Sequence, residues 1–93
     1  MLATIPFNLE KIPKDEVDKE LLRAAIIAEL DAINLYEQMA NLTRNKDLKI
    51  IFLDVAREEK THVGEFQALL LQKDKEQQHE LEKGKEEVDD LLK

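Results

Sequence analysis

Apolar side chains recur every three or four residues along most of this chain, the spacing that one face of an α-helix shows. One series runs without a helix breaker from about residue 15 to about residue 43, and a second from about residue 47 to about residue 73. The apolar members of the first series are Leu22, Ile26, Ile33, Tyr36 and Ala40. Those of the second are Leu48, Phe52, Val55, Phe66 and Leu69. The pattern predicts two long helices.

The segments before and between these series are irregular. Residues 1–14 contain Pro6 and Pro13 and no sustained period, which predicts an irregular N-terminal arm. The polar run Thr43–Asp47 predicts a tight turn, with Asp47 as the N-cap of the second helix.

A third, weaker helix is predicted over about residues 75–92. Asp74 is followed three residues later by Gln77, which has the form of a capping box that opens a helix. The apolar stripe is thin, and Gly84 costs roughly 1 kcal/mol relative to alanine in a helix interior. The members of the stripe are Leu81, Val88 and Leu92.

The two long helices predict an all-α fold that pairs with a second copy. A short turn forces them antiparallel, and each would span roughly 40 Å. One hairpin of that length cannot cover its own apolar faces. We therefore expect a single domain over residues 1–93, in which a hairpin and a short C-terminal helix dimerise into a four-helix bundle.

Composition narrows the function classes. The formal net charge of -7 disfavours a nucleic-acid partner, since phosphate binding needs clustered Lys and Arg. The absence of Cys excludes disulfides, thiolate metal sites and cysteine nucleophiles. The first residues show no secretory signal, and no apolar run is long enough to span a membrane. A cytoplasmic location is the remaining expectation.

Three polar residues interrupt the apolar stripes at one level of the predicted hairpin. They are Glu29 on the first helix and Glu59 and His62 on the second. Glu59 and His62 are spaced i, i+3, so they leave the same helical face about one turn apart. With the turn centred near residue 45, Glu29 lies sixteen residues before it and the other two fourteen and seventeen residues after it.

This inventory matches half of a di-iron carboxylate site. Such bundles use a Glu from each of two helices and a Glu-x-x-His from each of the other two. Two copies of this chain would supply four carboxylates and two imidazoles. Four negative charges offset those of two Fe²⁺ ions, and oxygen ligands with some nitrogen suit iron or manganese. The spacing predicts two irons per dimer interface.

The alternative is that these residues are solvated at the edge of a stripe. A single Glu or His there often faces water or pairs with a neighbour such as Arg57 or Lys60. Glu58 competes as a ligand because it is i, i+4 from His62, but it lies one position off the stripe that holds Glu59.

Two further polar residues, His79 and Tyr36, lie outside this set. His79 lies on the polar third helix without matching acids, and we expect it to be exposed. Tyr36 lies two turns beyond Glu29 on the same face. It either packs in the core or donates a hydrogen bond to a ligand.

The stretch Ala28–Tyr36, followed after the turn by Arg57–His62, resembles the encapsulated ferritins, short ferritin-like proteins housed inside encapsulin nanocompartments of bacteria and archaea. The likeness covers roughly residues 15–75 and is specific through the combination of the two motifs. It implies a two-helix hairpin with a short C-terminal helix. It also implies an annular decamer of five dimers, with a ferroxidase centre across each dimer interface.

The resemblance implies roles for individual residues. Glu29, Glu59 and His62 would be the iron ligands, Tyr36 would contact a ligand, and Asp31 would be an additional acid near the route by which iron reaches the site. The chain departs from the family at Leu35, where relatives often carry Trp. Its last residues, Asp89-Asp90-Leu91-Leu92-Lys93, do not resemble the family's docking peptide. Both a separate cargo protein and a domain of a shell fusion remain open.

The predicted function is oxidation of Fe²⁺ by O₂ at a site between two subunits, with the iron stored in a surrounding encapsulin shell. A rubrerythrin-like di-iron peroxidase is a rival enzyme, although the absence of Cys removes a rubredoxin-type centre. A non-catalytic helical oligomerisation module is the rival from another class. Iron content separates the last from the first two.

Overall fold

The computed structural model describes residues 9–11, 13–14 and 16–93. These contain a 3₁₀ helix, Leu9–Lys11, and three α-helices: α1 (Val17–Leu42), α2 (Lys46–Lys73) and α3 (Lys75–Leu91). The all-α prediction is confirmed, and each α-helix begins and ends within two residues of its expected bounds. Most of the predicted arm lies outside the described residues, and its described part includes the 3₁₀ helix.

The turn between α1 and α2 has a different N-cap from the predicted one. The side-chain Oδ1 of Asn45 accepts hydrogen bonds from the backbone N–H groups of Asp47, at 2.9 Å, and Leu48, at 3.1 Å. Asn45 is therefore the cap, and the prediction of Asp47 was wrong. Asp47 instead lies in the first turn of the helix, where its carboxylate is favoured by the positive end of the helix dipole.

Contacts between α1 and α2 show the antiparallel register. Lys60 Nζ lies 3.0 Å from Glu37 Oε2 near the middle of α2. Lys73 Nζ, at the far end of α2, lies 3.6 Å from Asp18 Oδ2 at the start of α1. Lys73 and Asp18 lie 28 and 27 residues from the centre of the turn at about residue 45, so residues equally far from the turn meet at this end of the hairpin.

The apolar core of the hairpin is thin. Among the described residues, the buried apolar side chains are Ile33, Ala40, Ala56 and Leu70. Many large aliphatic side chains stay exposed, including Ile51 at 58% and Ile50 at 64%. Burial of apolar surface is the main stabilising contribution to folding, so a hairpin this open favours further packing. Its pairing with a second copy remains a prediction.

The carboxylate of Asp74 makes hydrogen bonds at the junction of α2 and α3. Asp74 is the single residue between the helices, and its Oδ1 accepts a hydrogen bond from the backbone N–H of Gln77 at 3.0 Å. This is the Asp74 half of the predicted capping box. The guanidinium of Arg23 on α1 donates to Asp74 Oδ2 at 2.8 Å. The Gln77 N–H, and after it the Arg23 guanidinium, lower the pKa of Asp74 below its usual range.

This lowered pKa predicts that Asp74 contributes to acid sensitivity. In the unfolded chain an Asp titrates at about pH 4. Because the folded pKa is lower, the contribution of Asp74 to stability is present above that pH and is lost as the pH falls through the folded pKa. We expect wild type to melt higher than Asp74→Asn at pH 6, and the gap to shrink between pH 4 and pH 2. Thermal melting followed by circular dichroism checks this; a constant gap would contradict it.

No helix within residues 9–11, 13–14 and 16–93 is long and apolar enough to cross a lipid bilayer.

Candidate metal centre

The antiparallel register brings the three polar residues of the stripes together. His62 Nδ1 lies 3.5 Å from Glu29 Oε2 and 3.5 Å from Glu59 Oε2. One ligand atom from each of the three residues falls within 4.8 Å of the others. Two helices and one short turn thus place two carboxylates and an imidazole at one point of the bundle, at the predicted level.

Glu29 carries the clearest sign that this cluster suits a cation. Its side chain is 18% exposed, and Oε2 is buried without a hydrogen bond from any residue in the described part of the chain. The imidazole nitrogen of His62 is too distant, at 3.5 Å, for a good hydrogen bond. A buried carboxylate oxygen without a partner is costly, and a cation coordinated by it would remove that cost.

The donor set fits iron. Glu29 and Glu59 offer hard oxygen donors and His62 offers a nitrogen, the combination that suits iron and manganese better than soft metals. Two carboxylates supply two negative charges per chain, and imidazole binds a metal in its neutral form. The charge of one Fe²⁺ per chain is therefore offset by residues of that chain.

The cluster lies at the edge of the hairpin rather than inside it. His62 is 45% exposed, whereas Glu59 is 19% exposed. Three protein donors also leave coordination positions for other ligands. Completion of a two-metal site by a second copy remains a prediction, and the exposed His62 marks the side of the hairpin on which it would occur.

The competing acid Glu58 is exposed and lies outside the cluster. Tyr36 packs against Phe52, with ring centroids 6.3 Å apart and planes inclined by 34°. The core-packing role of Tyr36 is therefore present. A hydrogen bond from its hydroxyl to a ligand remains a prediction.

The other two candidates are separate from the cluster. His79 is exposed on α3, as expected. Asp31 is 8% exposed and lies two residues from Glu29, which turns its side chain to the other side of α1. Its role near the iron therefore remains an inference from the resemblance.

The burial of Asp31 is the one feature around the site that the pattern did not predict. Ala24, Ala28 and Leu35 share its face at steps of three and four, and none of them is exposed. This second stripe on α1 is visible in the sequence, but its apolar character is weak because Ala24 and Ala28 are small. It shows that α1 is covered on a face other than the one that carries Glu29.

Comparisons with known proteins agree with this fold. The family model described as Rubrerythrin matches residues 20–91. The crystal structure of the encapsulated ferritin domain from Pyrococcus furiosus superposes with a TM-score of 0.84 at 56% identity, covering 98% of this chain and 95% of that chain.

Two curated relatives are longer proteins. The ferritin-like-encapsulin shell fusion protein of Pyrococcus furiosus is 60% identical over 93 residues, which cover 98% of this chain and 27% of that protein. The encapsulin nanocompartment cargo protein EncC of Myxococcus xanthus is 41% identical over 80 residues, which cover 83% of this chain and 61% of that protein. This chain therefore spans only part of the length of either relative.

The expected likeness to encapsulated ferritins is confirmed by these matches. It covers nearly the whole chain and both helices that carry the cluster. The chain belongs to the rubrerythrin family of ferritin-like proteins.

Proposed function

We propose that two copies of this chain join their Glu29–Glu59–His62 clusters into a di-iron site that oxidises Fe²⁺ to Fe³⁺ with O₂. The observation that carries the proposal is the buried Glu29 Oε2 without a hydrogen bond, within ligand distance of two further donors. The membership in a ferritin-like family supports the same reading.

The cluster residues of this chain would neutralise the charge of the iron ions and hold them in place. Four carboxylates from two copies neutralise two Fe²⁺ ions, and hard oxygen donors favour the ferric state. Two Fe²⁺ ions provide two electrons, which with two protons reduce one O₂ to hydrogen peroxide. The i, i+3 spacing on one face of α2 holds Glu59 and His62 in fixed relation, so the cluster is organised before metal binds.

The named relatives support an encapsulin shell as the partner. One relative is a fusion to a shell protein and the other is a nanocompartment cargo protein. We infer that this chain works inside an encapsulin nanocompartment in the cytoplasm, where the shell stores the ferric product. The resemblance to encapsulated ferritins implies a ring of dimers, an annular decamer, and a small ring encloses little volume of its own, so storage falls to the shell.

Iron binding tests the proposal directly. Anaerobic Fe²⁺ titration, followed by sedimentation velocity, is expected to give one iron per chain and a shift from smaller to larger species as the metal is added. Zn²⁺, which has no redox chemistry, should produce the same shift. A stable monomer that binds two irons would contradict the shared site, and a protein that binds none would favour the oligomerisation module.

The matching family model makes a rubrerythrin-like peroxidase the second candidate. The two activities share the carboxylate set and differ in the oxidant. Stopped-flow oxidation of Fe²⁺-loaded protein with O₂ or with H₂O₂ separates them. A rate with H₂O₂ far above that with O₂ would favour the peroxidase.

A further inference from the structure

The helix α3 leaves the hairpin sideways. It does not continue α2, because Asp74 has φ -126° and ψ 88°, outside the helical region. It does not fold back either, because every residue from Gln78 to Lys93 is exposed, whereas a helix laid along the hairpin would bury one face. The overall extents of 46 × 45 × 20 Å agree with an L-shaped outline.

This bend at Asp74, the elbow between α2 and α3, leaves apolar surface uncovered. A cavity of about 350 Å³ lies between the α1–α2 hairpin and α3. Its lining comprises Arg23, Ile26, Ile27, Gln67, Leu70, Leu71, Gln77 and Leu81. Ile27 is 44% exposed and Leu81 43% exposed. Closing α3 onto the hairpin would remove apolar surface from water, which is favourable, so an opposing interaction has to hold the elbow open.

The interaction available is the contact between Arg23 and Asp74. Asp74 is 13% exposed and Arg23 is 47% exposed, and the two oxygens of Asp74 bind different helices, with Oδ1 accepting from the N–H of Gln77 and Oδ2 from Arg23. One carboxylate therefore ties the start of α3 to α1. A charge-assisted hydrogen bond at 2.8 Å is among the stronger polar contacts.

The ion pair that joins α1 and α2 at this end of the hairpin does not involve α3. Lys73 and Asp18 lie 3.6 Å apart, are well exposed and join α2 to α1. Exposed pairs of this kind contribute little. Arg23–Asp74 is therefore the contact that can set the angle of α3.

We propose that the Arg23–Asp74 pair is a latch that fixes the direction of α3 and keeps the elbow cavity open. The latch is independent of the metal cluster and goes beyond the proposed oxidation chemistry. With the latch closed, the apolar stripe of α3 points in a defined direction before any partner binds, and less ordering is left to occur on binding. Without either charge, α3 swings toward the hairpin and covers part of the cavity.

Distance measurement between two spin labels tests the latch. The chain has no Cys, so Asn34→Cys on α1 and Glu87→Cys on α3, both at exposed positions, give the only two labelling sites. Labelled chain is diluted with excess unlabelled chain, so that each assembly holds one labelled pair. Arg23→Met and Asp74→Asn are expected to broaden the distance distribution and to add a population at shorter distances.

The controls separate the latch from a general loss of structure. Asp74→Asn keeps a good N-cap, so α3 stays helical, which far-UV circular dichroism verifies. Lys73→Met removes the neighbouring ion pair and should leave the distribution as in wild type. Distributions of Arg23→Met and Asp74→Asn that match wild type would overturn the proposal. So would an equal broadening in Lys73→Met.

Discussion

Replacing Glu59 or His62 by alanine is expected to lower the initial rate of Fe²⁺ oxidation by about 100-fold or more, with helicity retained. Loss of a residue that merely orients a metal ligand costs about 10- to 100-fold in affinity or activity. Loss of a ligand itself should cost at least as much, and in the shared site each substitution removes two ligands. Stopped-flow absorbance of the ferric product after aerobic mixing measures the rate.

The matched control for this experiment is Glu58→Ala. Glu58 is the exposed neighbour of Glu59 on α2 and lies outside the cluster. Its removal deletes the same charge from the same helix, so a general electrostatic effect on iron attraction would appear in both variants. We expect Glu58→Ala to keep most of the rate. If Glu58→Ala were the damaging change and Glu59→Ala the silent one, the register of α2 against α1 would be wrong.

The substitution Glu29→Gln is expected to stabilise the metal-free assembly while weakening iron oxidation. In the absence of metal, two copies bring four carboxylates together, and like charges removed from water repel strongly. Glu29 Oε2 already has no hydrogen bond within the described chain. Leaving a buried charged group unsatisfied costs more than the about 1–3 kcal/mol of a neutral polar group, and glutamine is neutral. For a domain of this size we expect a melting temperature higher by about 5 °C or more under chelation.

Melting temperature and sedimentation are measured together in this experiment, with a chelator present. Glu58→Gln serves as the control because it removes the same negative charge, but on the exposed side of α2. It should leave both measurements near those of wild type. If chelated Glu29→Gln melts no higher and assembles no better than wild type, Glu29 does not lie in a crowded carboxylate cluster.

The helices and the level of the cluster could be predicted because both follow from local rules. The 3.6-residue period locates α1 and α2, and a three-residue turn leaves one register in which Glu29 meets Glu59 and His62. The N-cap was misplaced because Asn45 and Asp47 are both good caps. Propensity alone does not decide between two such residues two positions apart.

The elbow could not be predicted for a different reason. A capping box gives the start of α3 but not its direction. That direction depends on Arg23, which is 51 residues away in the chain and meets Asp74 only after the hairpin has formed. Contacts across such a separation are set by tertiary packing, which the periodicity of a single helix does not encode.

The thin core of the hairpin bears on how the stability of the fold changes with protein concentration. Where apolar surface is covered chiefly by another copy, the free energy of unfolding contains a term in protein concentration. Each tenfold dilution of a dimer then removes about 1.4 kcal/mol of that free energy. A dilute chain, such as one freshly synthesised, is more exposed to proteases than the same chain held at high local concentration in a confined space. Under the proposed function, enclosure in a shell would keep copies concentrated enough to stay associated and folded.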